Sequence, residues 1–173
     1  MLKDRSFFAA LFALLNKARV RYMVVGGMAV NLYGIARSTA DIDIFVDLED
    51  GNAGRFVKAM KEAGFKPKIP VRLEDFADKE KRIKWVEEKG MIVFSLYDPK
   101  NPFFLLDVFA DAPFDFESVF KKIKIKRLGG LNINIPVVPI EELIKMKEAL
   151  ARPQDLADVF YLRKVQGEWK DKG

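Results

Sequence analysis

Hydrophobic positions along the first part of the chain switch between helical and strand spacing. A helical stripe over 6–20 comes first, formed by Phe7, Leu11, Leu14, Leu15 and Ala18. The apolar run 22–25 is typical of a strand, and it ends at Gly26-Gly27 before a short helix over 28–33. A second strand is predicted over 41–46, and a helical stripe over 56–63 ends at Gly64. The order after the first helix is therefore βαβα.

The second half is predicted to add strands and then helices. The charged stretch 66–89 contains a predicted helix over 79–88. Strands over 91–97 and 103–109 are joined by a turn-rich linker at 98–102. Segments 123–127 and 131–135 flank Leu128-Gly129-Gly130, which indicates a hairpin. Two helices follow Pro139, so we divide the chain into a core over 1–138 and C-terminal helices over 139–173 that pack on it as one compact domain.

Composition removes several classes of chemistry. The 173 residues include no Cys and no His, which excludes disulfides, thiolate nucleophiles, histidine bases and the usual zinc sites. No apolar run is long enough for a membrane span and no signal peptide is evident, so we expect a cytoplasmic protein without a membrane partner. The net charge of +5 modestly favours anionic partners, although ordinary solubilising charge explains it equally well.

Carboxylates on two predicted strands suggest a metal site. Side chains alternate along a strand, so Asp41 and Asp43 share one face while Ile42 and Ile44 point into the core. Like charges so close repel each other, and a hard cation such as Mg²⁺ gives them a reason to converge. The alternative is a strand edge that faces solvent.

Asp107 is the predicted third member of the acidic group. It interrupts the apolar run 103–109, and two metal ions could be held if its strand lies beside that of Asp41 and Asp43. Asp47 and Asp111 fit the same alternation, but they lie at strand ends, where a solvated turn is the simpler interpretation.

The glycine pair lies between a strand and a helix. Bare backbone at Gly26 and Gly27 would let phosphate oxygens approach amide groups at a helix N-terminus. A tight turn without a ligand is the alternative.

These residues together resemble a known superfamily. Gly26-Gly27, then Arg37, Thr39 and Asp41-Ile42-Asp43, and finally Asp107, resemble the signature of DNA polymerase β-like nucleotidyltransferases. The variant Arg-x-Thr-x-Asp-Ile-Asp is similar to the minimal bacterial and archaeal group that includes abortive-infection type toxin nucleotidyltransferases. The segments 143–149 and 152–158 resemble the C-terminal helical motif of that group, with Gln154 in place of its usual Lys.

The resemblance implies a fold and a set of roles. The fold would be α+β, with an α/β-like N-terminal half, a mixed β-sheet with helices mainly on one side, and a C-terminal helical pair. Asp41, Asp43 and Asp107 would be catalytic metal ligands, and Gly26 and Gly27 would face phosphate. Arg37 and Thr39 would either orient the nucleotide or brace the acidic strand. Lys147 would contact triphosphate, or would be a solvated surface residue, since we place it on the exposed face of its helix opposite Met146 and Leu150.

The implied function is a Mg²⁺-dependent transfer of a nucleoside monophosphate from an NTP to an acceptor hydroxyl. Mg²⁺ is the expected cofactor, with room for two ions and with Mn²⁺ as a substitute, and the acceptor could be tRNA, a protein or a small molecule. Two alternatives stay open: an inactive nucleotide-binding module with a cognate antitoxin, and a nucleic-acid-binding domain that uses basic residues. The basic residues concerned are Lys121, Lys122, Lys124, Lys126 and Arg127. An ion-pair cluster of Arg152, Asp155 and Asp158 is expected to join the last helices to the core.

Overall fold

The computed structural model describes residues 2–127 and 130–170, with side chains described over 7–127 and 130–168. The described part contains helices on both faces of one sheet. Its elements follow in the order α1 (Leu2–Lys17), β1 (Tyr22–Val25), α2 (Gly26–Leu32), β2 (Ile42–Val46), α3 (Asp50–Glu62), β3 (Lys66–Pro67), a 3₁₀ segment (Leu73–Ala77), α4 (Lys79–Lys89), β4 (Val93–Asp98), β5 (Asn101–Phe109), α5 (Phe116–Phe120), β6 (Lys124–Arg127), β7 (Asn134–Val137), α6 (Ile140–Leu150) and α7 (Pro153–Lys170).

The seven strands form one mixed sheet in the order β3-β4-β5-β2-β1-β7-β6. Strand β2 lies at its middle, antiparallel to β1 and parallel to β5. Strand β1 is in turn parallel to β7. The mixed α+β architecture expected from the sequence is confirmed.

The two faces of the sheet follow from the period of two along β2. Ile42 and Ile44 are fully buried on one face. Helices α1 and α4 cover that face, since Phe12 stacks on Tyr22 of β1 and Trp85 stacks on Phe94 of β4. Asp43 and Phe45 belong to the opposite face. The acids therefore lie on the face that the C-terminal helices approach.

Several predicted boundaries shift. The stretch 98–102 is a tight turn rather than a linker, because Asp98 already pairs with Asn101. The predicted hairpin is confirmed as β6 paired antiparallel with β7, but its second strand begins at Asn134 rather than at residue 131. Leu128 and Gly129 lie outside the described residues. Helix α2 begins at Gly26 itself, so the glycine pair forms its first turn instead of preceding it.

None of the helices in the described ranges is long and apolar enough to cross a membrane.

Candidate active site

The register of the central strands brings two of the predicted acids together. Asp43 of β2 is paired with Asp107 of the neighbouring parallel strand β5, and with Val25 of β1 on its other side. Asp41 immediately precedes β2, which begins one residue later than the strand predicted over 41–46. Every candidate site residue of the sequence analysis lines one cleft of about 300 Å³, namely Gly26, Gly27, Arg37, Thr39, Asp41, Asp43, Asp107 and Lys147.

Asp43 occupies the most strongly perturbed position of the cleft. Burial, and then the neighbouring charges of Asp107 and Asp41, raise the pKa of its carboxyl group from 3.8 to about 6. The positive charges of Lys147 and Arg37 act in the opposite direction but do not cancel this effect. The ionised carboxylate of Asp43 would therefore be stabilised by the approach of a further cation.

Ser95 restrains the second acid, and the sequence analysis did not single it out. Its hydroxyl donates to Oδ1 of Asp107 at 2.6 Å, across the antiparallel pair of β4 and β5. Burial raises the pKa of Asp107, while this hydrogen bond lowers it. Ser95 lies on the same face of β4 as Tyr97 and Val93. A small polar residue between the larger side chains of Val93 and Tyr97 at strand spacing is the signal that could have identified it.

The donor set suits a hard divalent cation. Asp41, Asp43 and Asp107 offer only carboxylate oxygens, the ligands that Mg²⁺ prefers, and burial together with mutual repulsion leaves Asp43 short of positive charge. Among the described side chains, however, no three His, Cys, Asp or Glu residues are grouped closely enough to form a complete metal site. The acids therefore remain candidate ligands.

The two glycines leave room for charged side chains. Gly26 has a φ of +64°, and a Cβ atom there would lie 2.1 Å from Oδ2 of Asp43. A Cβ atom on Gly27 would lie 2.0 Å from Nη1 of Arg37 and 2.9 Å from Oγ1 of Thr39. Both glycines are therefore required by the close approach of cleft side chains to the backbone, whether or not a ligand is bound.

Arg37 and Thr39 brace the segment that precedes the acids. The hydroxyl of Thr39 donates to the carbonyl oxygen of Asp41 at 3.1 Å, and the backbone N–H of Arg37 donates to Oδ1 of Asn31 at 2.9 Å. The guanidinium Nε of Arg37 lies 3.4 Å from Oδ2 of Asp158 on α7. That contact is an ion pair without hydrogen-bond alignment. The buried Nε has no hydrogen-bond acceptor among the described residues.

The expected exposure of Lys147 is wrong. Its side chain is only 5% exposed, and Nζ lies 2.7 Å from Oδ2 of Asp158 and 3.5 Å from Oδ1 of Asp155. The physical reason is its helical position, since Ile140, Leu143, Ile144 and Lys147 form one buried stripe of α6. A lysine in that stripe needs acidic partners, and α7 supplies them.

The expected C-terminal ion-pair cluster is present, but its residues are paired differently. Arg152 donates from Nε to Oδ2 of the fully buried Asp155 at 2.6 Å. Asp158, by contrast, is paired with Lys147 and Arg37. The cluster joins α6 and α7 to the segment before β2. The Arg152 side chain is 68% exposed at the wall of the cleft, where Gln154 also lies.

The basic residues proposed for nucleic acid lie elsewhere. Strand β6 carries Lys124, Lys126 and Arg127 at an edge of the sheet, and Nζ of Lys126 lies 5.0 Å from the centre of the Tyr33 ring. Strand alternation would place Lys122, Lys124 and Lys126 on one face, but Lys122 precedes the strand and does not share that face. None of these residues lines the acidic cleft.

Structures of known proteins share this fold. A lincosamide antibiotic adenylyltransferase, LnuA, bound to lincomycin, is 16% identical with a TM-score of 0.61, and the alignment covers 93% of this chain and 96% of that one. ANT(2'')-Ia in complex with adenylyl-2''-tobramycin is 12% identical with a TM-score of 0.57, with coverage of 96% and 94%. An antigenic nucleotidyltransferase-like protein from Paracoccidioides brasiliensis is 14% identical with a TM-score of 0.54, with coverage of 91% and 74%. At such identities the likeness establishes the fold alone.

Sequence comparison establishes the family. No curated protein sequence matches the chain significantly. The profile of the family described as "Nucleotidyl transferase AbiEii toxin, Type IV TA system", in contrast, matches residues 9–172, which is nearly the whole chain. The resemblance derived from the glycine pair and the three acids points to the same group. The chain therefore belongs to the AbiEii nucleotidyltransferase toxin family.

Proposed function

We propose that this nucleotidyltransferase uses Mg²⁺ to move a nucleoside monophosphate from an NTP to an acceptor hydroxyl, with its reaction centre at Asp41, Asp43 and Asp107. The observation that carries the proposal is the in-register pairing of Asp43 with Asp107 in a cleft that also contains cationic side chains. Two metal ions bound there, with Mn²⁺ as a substitute, would neutralise the charge that develops on the transferred phosphoryl group.

The residues of the cleft divide into two roles. Asp41 and Asp43 would hold the cation, and Asp107 would either share in this or accept the proton of the attacking hydroxyl. Burial raises the pKa of Asp107, which makes it a better proton acceptor than an exposed aspartate. In the transfer, the acceptor oxygen bonds to the α-phosphorus, the bond to the bridging oxygen breaks, and pyrophosphate leaves with that electron pair.

Positive charge for the phosphates would come from three side chains. Arg152 is the most accessible of them, because its side chain is 68% exposed at the cleft wall while its Nε remains on the buried Asp155. Lys147 and Arg37 are held by Asp158, so they would act as fixed charges at the cleft wall. The space at Gly27 is taken by Arg37, so Gly27 would act on the phosphates through the position of that guanidinium.

Family membership also supports a cognate antitoxin, which we propose as a partner on that ground alone. Because NTPs are intracellular substrates, the same proposal places the reaction in the cytoplasm.

Label transfer tests the proposal. The protein is incubated with Mg²⁺, a cell extract and each α-labelled NTP in turn, and labelled molecules and pyrophosphate are identified. We expect at least one NTP to yield both. Binding of NTP without any pyrophosphate would instead indicate an inactive nucleotide-binding module. RNA binding that needs neither NTP nor Mg²⁺ would favour the basic edge strand as the functional surface.

A further inference from the structure

An apolar groove adjoins the acidic cleft on the same face of the sheet. We call it the aromatic groove and define it by Phe45, Ile92, Phe109, Phe114, Ala149 and Leu150. Its volume is about 520 Å³, within the range of about 300–1,000 Å³ that is typical of small-molecule sites. Phe109 and Leu150 also line the cleft, so the two cavities are neighbours that share a wall.

Strand geometry fixes the distance between the two cavities. Phe45 follows Asp43 by two residues on β2, and Phe109 follows Asp107 by two residues on β5, so each ring shares the face of its acid. Two residues of strand span roughly 7 Å, about the length of one ring system. The rings of Phe45 and Phe109 lie 4.2 Å apart, and Phe114 meets Phe45 edge-on at 4.8 Å. The aromatic rings therefore form the floor of the groove, and this floor begins one side-chain position beyond the two acids on the same strands.

The opposite end of the cleft carries a guanidinium group. Strand β1 runs antiparallel to β2, so Gly26 and Gly27 follow Val25 towards Asp41 and away from Phe45. Arg37 lies directly against Gly27 at that end. A polyphosphate chain matches this end by charge and does not match the aromatic floor.

The geometry of phosphoryl transfer places the acceptor and the leaving group on opposite sides of the phosphorus atom. The attacking oxygen and the leaving oxygen lie roughly in line through the phosphorus atom. If pyrophosphate leaves towards Arg37, the acceptor oxygen must approach from the opposite side, where the aromatic groove lies.

We propose that the aromatic groove is the acceptor site and that its acceptor is a small hydroxyl-bearing molecule with an uncharged ring body. This inference rests on the proposed function. The charged residues at the groove are Asp111, Glu142 and Lys145, and Lys145 is ion-paired with Glu142 at 2.9 Å. Their net charge is negative, which disfavours the phosphate backbone of an RNA acceptor. The acceptor hydroxyl loses its proton to Asp107 or water as its oxygen bonds to the α-phosphorus and pyrophosphate departs.

Two groove variants and one control test this assignment. Ile92→Glu places a charge on the groove wall, and Ala149→Trp fills the groove from α6. Ile125→Glu is the control, because Ile125 is 56% exposed, Ile92 is 53% exposed, and Ile125 lies on the distant strand β6. For each protein, NTP affinity is measured by calorimetry with Mg²⁺. Label transfer from the NTP is measured with the dialysable fraction and, separately, with the RNA fraction of a cell extract.

We expect the dialysable fraction to carry the label with wild-type protein and Ile125→Glu, and transfer to fall by about tenfold or more in both groove variants. NTP affinity should stay unchanged in all three variants. Label on RNA, unaltered transfer by the groove variants, or a groove variant that loses NTP affinity would each overturn the acceptor assignment while leaving the proposed function intact. Absence of NTP binding by the wild-type protein would instead remove the proposed function.

Discussion

The Nζ atom of Lys147 lies 2.7 Å from Oδ2 of Asp158, and both side chains are buried. The same carboxylate oxygen lies 3.4 Å from Nε of Arg37. One aspartate of α7 thus holds two cations of the cleft, one from α6 and one from the segment before β2. The last helix thereby takes part in positioning the site.

Replacing Asp158 by Asn should therefore affect both stability and ligand binding. Loss of one partner from a buried ion pair leaves an uncompensated charge, so the free energy of unfolding should fall by roughly 3 kcal/mol. NTP affinity should fall as well, because Arg37 loses its acidic partner on α7 and Lys147 keeps only the longer contact with Asp155. Urea unfolding and calorimetric titration with NTP and Mg²⁺ measure the two effects.

Glu148→Gln is the matched control for Asp158→Asn. Glu148 pairs with Arg163 between the same two helices, but this pair is exposed. Its loss should change the free energy of unfolding by less than about 1 kcal/mol and should not change NTP affinity. Equal effects of the two substitutions would contradict a positioning role for Asp158.

Asp43 should make the metal-free protein less stable as the pH rises. Its pKa is about 6 in the folded state against an ordinary value of 3.8, so between these values the folded state binds more protons than the unfolded state. The contribution of Asp43 to the free energy of unfolding is therefore highest below this window and decreases as the pH rises through it, by at most about 3 kcal/mol. Asp43→Asn should flatten the decrease and leave the metal-free protein at least as stable at neutral pH.

Unfolding by urea at pH values from about 4 to 7, without and with Mg²⁺, checks this expectation. Mg²⁺ should stabilise the wild-type protein at neutral pH and should have little effect on Asp43→Asn. A large loss of stability of the metal-free variant at neutral pH would show that Asp43 has a structural role instead.

Gly27→Ala should disturb the site through Arg37. The added Cβ would lie 2.0 Å from Nη1 of Arg37, so that guanidinium must move, and the affinity for NTP should fall more than the affinity for the corresponding nucleoside. If the effect acts through Arg37, Gly27→Ala should cost little further affinity in an Arg37→Ala background. Additive losses would mean that the ligand needs the Gly27 backbone itself.

Gly54→Ala provides the control for added bulk. A Cβ atom on Gly54 would meet nothing within 4 Å, and this position lies inside helix α3. This substitution should raise the free energy of unfolding by up to about 1 kcal/mol and leave NTP binding unchanged.

Ser95→Ala should weaken Mg²⁺-dependent NTP binding without unfolding the protein. The hydroxyl of Ser95 fixes Oδ1 of Asp107, and a partly buried hydrogen bond to a carboxylate contributes about 1–3 kcal/mol. Ser118→Ala, which removes an exposed hydroxyl contact with Asp115, is the control. NTP titrations in Mg²⁺ that give the same affinity for both variants would mean that Ser95 does not orient Asp107.

The strands of the site could be predicted from sequence because their signal is local. Alternation placed Asp41 and Asp43 on one face, and Asp107 stood out as an acid within an apolar run. The register that pairs Asp43 with Asp107 is a long-range property, so the sequence left open whether the two strands are neighbours, and the structure establishes the pairing.

Lys147 shows where local reasoning failed. Comparison with Met146 and Leu150 placed it on an exposed face, whereas its spacing from Ile140 and Leu143 places it in the buried stripe. Even the correct face would not have revealed its partners, because Asp155 and Asp158 reach it only through the packing of α7 on α6. Ser95 was missed for a related reason, since its importance depends on a cross-strand neighbour.

Measurement of pyrophosphate release tests the central claim most directly. The assay contains NTP, Mg²⁺ and a cell extract, and it compares wild-type protein with Asp43→Asn, Asp107→Asn and Asp47→Asn. Asp47 follows β2 on the face of Asp43, but it is paired with Arg21 at 2.6 Å and lies outside the cleft. The account predicts release by wild-type protein and Asp47→Asn, and a loss of at least about a hundredfold in the two cleft variants. Release that survives in Asp43→Asn and Asp107→Asn would contradict the assignment of the reaction to these acids.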